Sequence, residues 1–384
     1  LPAASAVRPA TAAATGPLWI EVANTLPIRR PGEVLEVPLA ELFRRRPAWR
    51  GCRLAARVDG SDRLVPVQRY ADDGGMPDTL LVQLDMAPRA SVRLAIEPAA
   101  DDAAPTPNPL HARKVPERDD DFAWENAQVT YRIYGPGLQA KGEVSSGIDV
   151  WSKRPPHRVI EDWYRRDRES QRRGDPSLSY HVDNGVGLDS YAVGHSPGAG
   201  GTAAWKDGKP AYSANPARVL VTATGPIRLR FEVDYAPWKA GAVFVREHKA
   251  VTLDAGSHMN RQAVSYRLEG ARRLTLAAGV SVHDGARVAH EGAASIAVWD
   301  TPQKADAGRI ATALIVAPKE PARYAEGGGA AWALFDVGDG DTVRFASGAG
   351  WSKGDMPDFA AWQRYLGDYR QRWANPLRLR WLDR

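Results

Sequence analysis

Two histidines, two aspartates and two tyrosines crowd into YHVDNGVGLDSYAVGHSPGAGG, residues 180–201. His181 and His195 titrate near neutrality and can move protons. Six glycines between Gly185 and Gly201 argue against a helix and against a regular strand. The run is therefore expected to form a long shaped loop, where polar side chains serve function more often than packing. The chemistry open to this set is acid–base. β-Elimination at a uronate needs a cation on the substrate carboxylate, a base for the C5 proton and an acid for the leaving oxygen. His181 and Tyr191 suit the base and the acid, with Asp183, Asp189 and His195 as substrate contacts. Asp183 and Asp189 could instead hold a calcium-type cation through oxygen ligands, although their spacing is not that of an EF-hand. The plainer use of both aspartates is to cap turns through their own backbone.

A second set lies on VFVREHKAVTLDA, residues 243–255. Side chains alternate faces along a strand, so Arg246 and His248 share one face while Val245, Glu247, Lys249, Val251 and Leu253 share the more apolar one. Arg246 could clamp a carboxylate with paired hydrogen bonds and His248 could act as the base. A solvated face with a salt bridge is the alternative. Hydrolysis would ask for two carboxylic acids, and Glu125, Asp149, Asp183, Asp189, Glu247 and Asp254 are too many to choose among. Glu125 and Lys141 are further candidates for substrate binding, as are Trp151 and Trp205 as sugar platforms; Trp124 reads as core. His258, His283 and His290 sit beside turn residues and read as surface histidines. No Walker loop, zinc-protease helix, nucleophile elbow or dinucleotide fingerprint occurs.

These residues sit in a chain of 384, 43% hydrophobic and 25% charged, with a formal charge of +5. That is the balance of a globular protein with a sizeable core. Basic residues are scattered apart from two clusters, which argues against nucleic acid as a partner, and a mildly basic surface suits an acidic substrate. The single Cys52 excludes an internal disulfide and a multi-cysteine zinc site; no metal or cofactor is called for. No apolar run approaches the roughly 20 residues of a membrane span. The opening LPAASAVRPATAAATGP has the small-residue character of a signal-peptide cleavage region, so a periplasmic or secreted bacterial protein is expected.

Residues 1–16 read as a flexible lead. From 17 to 97, short alternating runs (LWIEVAN, EVLEVPL, RLAARVD, RLVPVQRY, TLLVQLD, SVRLAIEP) predict a small β-sandwich. Five prolines in residues 98–118 suggest a linker. Roughly ten strands then follow in about 265 residues, too many for one flat sheet, so residues 119–384 should form two large antiparallel sheets packed face to face. Helices are few: a brief turn at ELFRRR, a charged helix at RVIEDWYRRDRESQRRG and an amphipathic one over Asp358–Trp373.

Three motifs carry a resemblance. DFAWENAQVTYRIYGPGLQAKGEVSSGIDVW (residues 121–151), YHVDNGVGLDSYAVG and VTLDAGSHMN together resemble a bacterial domain-of-unknown-function family found among polysaccharide-utilisation proteins, over roughly residues 119–384. The resemblance implies an exported protein of sugar metabolism with a supersandwich similar to galactose mutarotase-like and lyase-like folds. The expectation is an all-β enzyme that acts on uronate-containing oligosaccharides by β-elimination. Glycoside hydrolysis, aldose epimerisation and glycan binding without catalysis are the alternatives. Oligomeric state is not legible.

Overall fold

The apolar–polar alternation that marks the chain places one set of side chains on each strand face, and nearly every such run becomes an antiparallel strand. The computed structural model describes residues 16–382 apart from 101, 103, 104 and 305. The expected flexible lead lies outside the described residues save for Gly16. Contacts divide the chain into two units: Leu1–Thr106 with Leu377–Arg384, and Pro107–Pro376.

In the first unit, Leu18–Ala23 buries Leu18, Ile20 and Val22 in strict alternation. It lies in a five-stranded sheet ordered Arg378–Trp381, Leu18–Ala23, Ser91–Pro98, Leu54–Val58, Leu64–Val65, beside a three-stranded sheet of Arg30–Pro38, Thr79–Met86 and Val67–Tyr70. Leu35, Val37, Val82 and Leu84 share one core with Ile20, Leu94 and Ile96, so the unit is a small sandwich. ELFRRR lies within the helix Leu39–Arg45. The last strand pairs Ile20 with Trp381 and Val22 with Leu379. The expected span of 119–384 for the second region is therefore redrawn, because the C-terminal strand returns to cover what would be an open sheet edge.

The second unit holds a nine-stranded sheet and two five-stranded sheets. The larger sheet runs Pro216–Thr224, Arg228–Tyr235, Val243–Asp254, Met259–Glu269, Thr342–Trp351, Ile310–Val316, Ser295–Asp300, Arg287–His290, with Trp238–Ala240 paired beside Val243–Asp254. One five-stranded sheet is ordered Gly187–Asp189, Asp149–Lys153, Thr130–Ile133, Asp121–Glu125, His111–Val115. It packs Phe122, Trp124, Tyr131 and Val150 against Leu229, Phe231, Val251 and Leu253 of the larger sheet. The other, built around Ala199–Lys206, Arg273–Ser281 and Ala330–Gly338, sets Leu276, Ala278, Phe335 and Val337 against Val245, Val264, Tyr266 and Phe345. A single parallel bridge between Ile148 and Gly198 links the two smaller sheets. The result is an all-β supersandwich.

Its strands outnumber the ten expected because short edge strands such as Gly187–Asp189, Lys209–Ala211 and Trp238–Ala240 are too brief to show alternation. His111–Val115 pairs with Asp121–Glu125 inside the stretch read as a linker; HARKV carries no apolar alternation, and an edge strand needs pairing on one side only.

Two helices cover sheet faces from outside. Ile160–Arg173 ends at Gly174, whose φ of +67 supplies the left-handed C-cap that a β-carbon disfavours. It buries Ile160, Trp163 and Tyr164 against Trp151. Phe359–Ala374 starts at Asp358, whose carboxylate accepts from the Ala361 amide at 2.7 Å. It lays Phe359, Trp362 and Leu366 on Ala297, Ala311, Ala313 and Ala346 of the nine-stranded sheet, where alanines leave room for the aromatic rings. Among the described residues no helix is long and apolar enough to cross a membrane.

Removing residues 377–384 uncovers Leu18–Ala23 and strips Leu379 and Trp381 from their core. Calorimetry should show the first unit's transition weakened by roughly 2–4 kcal/mol, the worth of two partly buried apolar side chains, with the second unit's transition unmoved.

Candidate functional site

In the sheet containing Thr130–Ile133, Phe122, Trp124, Tyr131 and Ile133 point into the core. The opposite phase, which carries Asp121, Arg132 and Asp149, faces outward beneath the helix Ile160–Arg173 and Tyr180. Register places Arg132 directly opposite Asp149, and Trp151 opposite Asp189. Arg132 is 2% exposed. Its Nη2 donates to Asp149 at 2.5 Å and to Asp189 at 3.1 Å, its Nη1 donates to the Tyr180 hydroxyl at 3.3 Å, and its Nε lies 4.0 Å from Asp121. Arg118 adds a second guanidinium, 3.0 Å from the Tyr180 hydroxyl and 3.4 Å from Asp121. Trp151 and Tyr180 stack at 5.0 Å and both rings lie under the Arg132 guanidinium.

Three buried carboxylates thus meet the buried Arg132 and the partly exposed Arg118, and burial dominates. It pushes Asp121 up from 3.8 to about 6, against the pull of Arg132 and Arg118. Burial and then repulsion from Asp189 also raise Asp149, and burial raises Asp189. A group whose ionised form is this disfavoured holds its proton to higher pH.

Asp189 turns this buried set into a surface feature. Its amide donates to the Tyr180 carbonyl at 2.8 Å, and its own carbonyl faces His181 Nδ1 at 3.1 Å. A carbonyl only accepts, so Nδ1 carries the proton and Nε2 is left as the basic nitrogen on a ring 50% exposed. Burial lowers the His181 pKa below 6.5, the Asp189 hydrogen bond opposes this, and the Arg132 charge adds to it. Cations bind the loop that carries the ring. Lys304 Nζ donates to the His181 carbonyl at 2.5 Å. Arg154 holds Asp183 through two bonds of 3.1 Å and lies 4.8 Å over the Trp351 ring, and Lys353 acts on Asp183 electrostatically.

The other expected site residues lie elsewhere. Tyr191 is buried in the sandwich, its ring edge-on to His283, so its hydroxyl is closed to a substrate. Arg246 and His248 do share one strand face, but Arg246 pairs with Glu269 at 3.1 Å and His248 with Asp234 at 2.8 Å, both on the solvated side. Neither is brought to His181. Asp183 accepts from the Gly185 amide at 3.0 Å and so caps a turn; the Asp189 carboxylate takes the Tyr191 amide in the same i to i+2 manner and accepts from Arg132 as well. The two aspartates thus turn to different arginines, and among the described residues no group of three or more His, Cys, Asp and Glu side chains could hold a metal.

Glu125, 1% exposed, bonds Lys153 at 2.7 Å and accepts from the Val159 and Ile160 amides; it caps a helix that has no capping side chain of its own. Lys141 pairs with Asp119 at the surface. His195 is exposed and edge-on to Tyr212. Trp151 is fully buried, and the half-buried Trp205 packs on Trp332. His258 lies buried between the Ala349 carbonyl and Asp355, and His283 bonds Asp300 and the Ala192 carbonyl; only His290 is exposed, stacked on Tyr324. Arg132, Arg118, Lys304 and Arg154 carry the site without having been singled out. The one available signal was TYRI, whose alternation sets Arg132 in phase with Thr130 and out of phase with the core.

A supersandwich with a surface histidine seated on buried charges is a scaffold class rather than an activity. The chain belongs to the family described as "Domain of unknown function (DUF4861)", which it matches over residues 22–379. It is 29% identical over 381 residues to "Uncharacterized protein P7" of Formosa agariphila, covering 93% of this chain and 92% of that protein. Two solved structures share the fold at 9% and 10% identity. They are an alpha-mannosidase from Enterococcus faecalis V583, with a TM-score of 0.51, and a glycosyl hydrolase family 38 protein from Enterococcus faecalis, with a TM-score of 0.50. Each match covers 96% of this chain but only 46% and 48% of the solved chains, so the chain spans less than half their length.

The Asp121 proton has a measurable consequence. Between pH 3.8 and about 6 the folded chain keeps a proton that the unfolded chain gives up, so this residue's contribution to stability is present below that window and is lost as pH rises through it. Asp121→Asn, which keeps an acceptor for the Gly135 amide, should flatten this limb. Urea unfolding of both proteins at several pH values across the window should show a difference that grows with pH in the variant's favour.

Proposed function

We propose that the chain binds acidic oligosaccharides at the His181 surface and cleaves them by β-elimination. The observation that carries the proposal is the pairing on one residue: a neutral imidazole fixed through Nδ1, and a lysine ammonium on its carbonyl. In the reaction, Lys304 and Lys353 offset the substrate carboxylate, which makes the C5 proton acidic. His181 Nε2 takes that proton as the C4–C5 double bond forms and the C4–O bond breaks. The imidazolium so formed can return a proton to the departing oxygen. Tyr191 and Arg246 have no part in this scheme. Hydrolysis by a carboxylate pair is less well supported, because Asp149 and Asp189 are buried and held by one guanidinium. The fold shared with an alpha-mannosidase and a glycosyl hydrolase family 38 protein agrees with this reading, and export of the protein to reach such glycans is part of the proposal.

Purified protein should therefore raise the ultraviolet absorbance of uronate-bearing oligosaccharides without adding water to the summed product mass. His181→Ala should lower kcat by about 100-fold or more, the scale of a lost general base, while Lys304→Met should raise KM and lower kcat together, since this lysine both holds the carboxylate and acidifies C5. With His181 depressed below 6.5, the rate should be level through neutrality and fall only under more acidic conditions. Products heavier by one water, or an unimpaired His181→Ala enzyme, would sink the proposal.

A further inference from the structure

One cavity of the second unit is lined by two residues ill-suited to their backbone. Gly367 stands inside the helix Phe359–Ala374, where glycine is the poorest choice short of proline. Nothing lies within 4 Å of the place its β-carbon would occupy, so crowding does not require it. Lys319 has a φ of +71, a left-handed conformation that suits glycine and disfavours a side chain. Lys319 is the third residue of a turn in which the Glu320 amide donates to the Ala317 carbonyl, and a side chain held in this conformation is found at ligand sites as well as in turns. The cavity they share measures about 610 Å³, within the usual range for small-molecule sites.

Its composition identifies the occupant. Ile315, Val316, Pro318 and Ala322 give an apolar wall, and Trp373 adds an aromatic ring. Around them stand acceptors and donors in equal measure: Glu291 and Glu320 against Lys319 and Arg370. Glu291 and Arg370 form an ion pair within the lining, and a guanidinium has further donors to give. Gly367, Arg370, Gln371 and Ala374 share one helix face, since they lie three or four residues apart. An anion would need an excess of positive charge, which is missing here. A ring with apolar C–H faces and many hydroxyls, each both donor and acceptor, matches the set.

We propose that this cavity is a second, non-catalytic site that binds one neutral pyranose unit of a glycan, with Gly367 left bare to admit the ring and Lys319 positioned as a hydroxyl donor. The saccharide class is shared with the proposed cleavage, but binding here does not depend on His181.

Saturation-transfer NMR on the full chain tests this with D-glucose, D-galactose, D-mannose, D-xylose and L-rhamnose as probes. At least one should receive saturation, and D-glucuronate should bind no better than D-glucose. Gly367→Leu should abolish the transfer, whereas Gly367→Ala should raise the Tm by about 2–4 °C, which shows that the helix tolerates a side chain there. Lys319→Gly should weaken binding by about tenfold, the scale of one lost contact, with the fold intact. His181→Ala should leave binding unchanged, so loss of cleavage and loss of this site are told apart. No transfer to any of the five probes, or transfer that survives Gly367→Leu, would overturn the assignment.

Discussion

The Arg132 guanidinium is what the candidate site rests on. Buried beneath a helix and two aromatic rings, it satisfies Asp149 and Asp189 and offsets Asp121. Taking so many charges out of water costs several kcal/mol per ion before pairing is counted, and the same burial raises the Asp121 and Asp149 carboxyls above their ordinary range. The cluster ties four strands together by charge as well as by backbone pairing. Asp189 then carries this rigidity outward. Its carboxylate answers Arg132, its amide answers Tyr180 and its carbonyl holds His181. One residue thus converts a buried electrostatic knot into a fixed orientation for an exposed imidazole.

The same sheet face carries a second charged pair. Glu125 and Lys153 lie in the phase of Asp121 and Asp149 on their strands, and Glu125 also receives two amides from the start of Ile160–Arg173. The helix is therefore anchored by the pair at its N-terminus, by Trp163 and Tyr164 against Trp151 along its length, and by Gly174 at its end. Breaking either member would strand a buried charge, which is why Glu125 belongs to the architecture rather than to the surface chemistry.

Most of the fold was legible because alternation and helical spacing are local. LWIEVA, TLLVQLD and SVRLAIEP became strands almost residue for residue, and Gly174 and Asp358 marked helix ends by backbone and capping preferences that need no tertiary context. The Val243–Asp254 faces were also assigned by phase alone. The limit is that alternation says which side chains share a face and not what covers it. Arg132, Asp149 and Glu125 sit in the polar phase of their strands, as solvated residues would, yet a helix closes over them. The reverse happened at Tyr191: within a glycine-rich, polar run it reads as exposed, but the chain folds its ring into the sandwich. The Arg378–Trp381 strand shows the same limit at larger scale, since pairing with Leu18–Ala23 spans nearly the whole chain and leaves no trace in neighbouring residues.

The two surfaces raised here differ in a way that follows from what holds each one. At His181 the cations Lys304, Lys353 and Arg154 act on a loop that already carries Asp183, so part of their field is already answered. A substrate carboxylate would have to compete with Asp183 for Arg154, and this leaves the lysines, which each retain spare donors, as the groups able to turn to a ligand. Beside the helix Phe359–Ala374 the charges are balanced among themselves and sit on a wall of alanine, valine and isoleucine. No net field steers an anion there, and recognition must come from shape and from hydroxyl-matched donors and acceptors. A glycan with both acidic and neutral residues would meet a different kind of complementarity at each place, charge at one and fit at the other. That division explains why the cavity tolerates a bare Gly367 and a left-handed Lys319: where charge cannot select a ligand, the shape of the backbone has to.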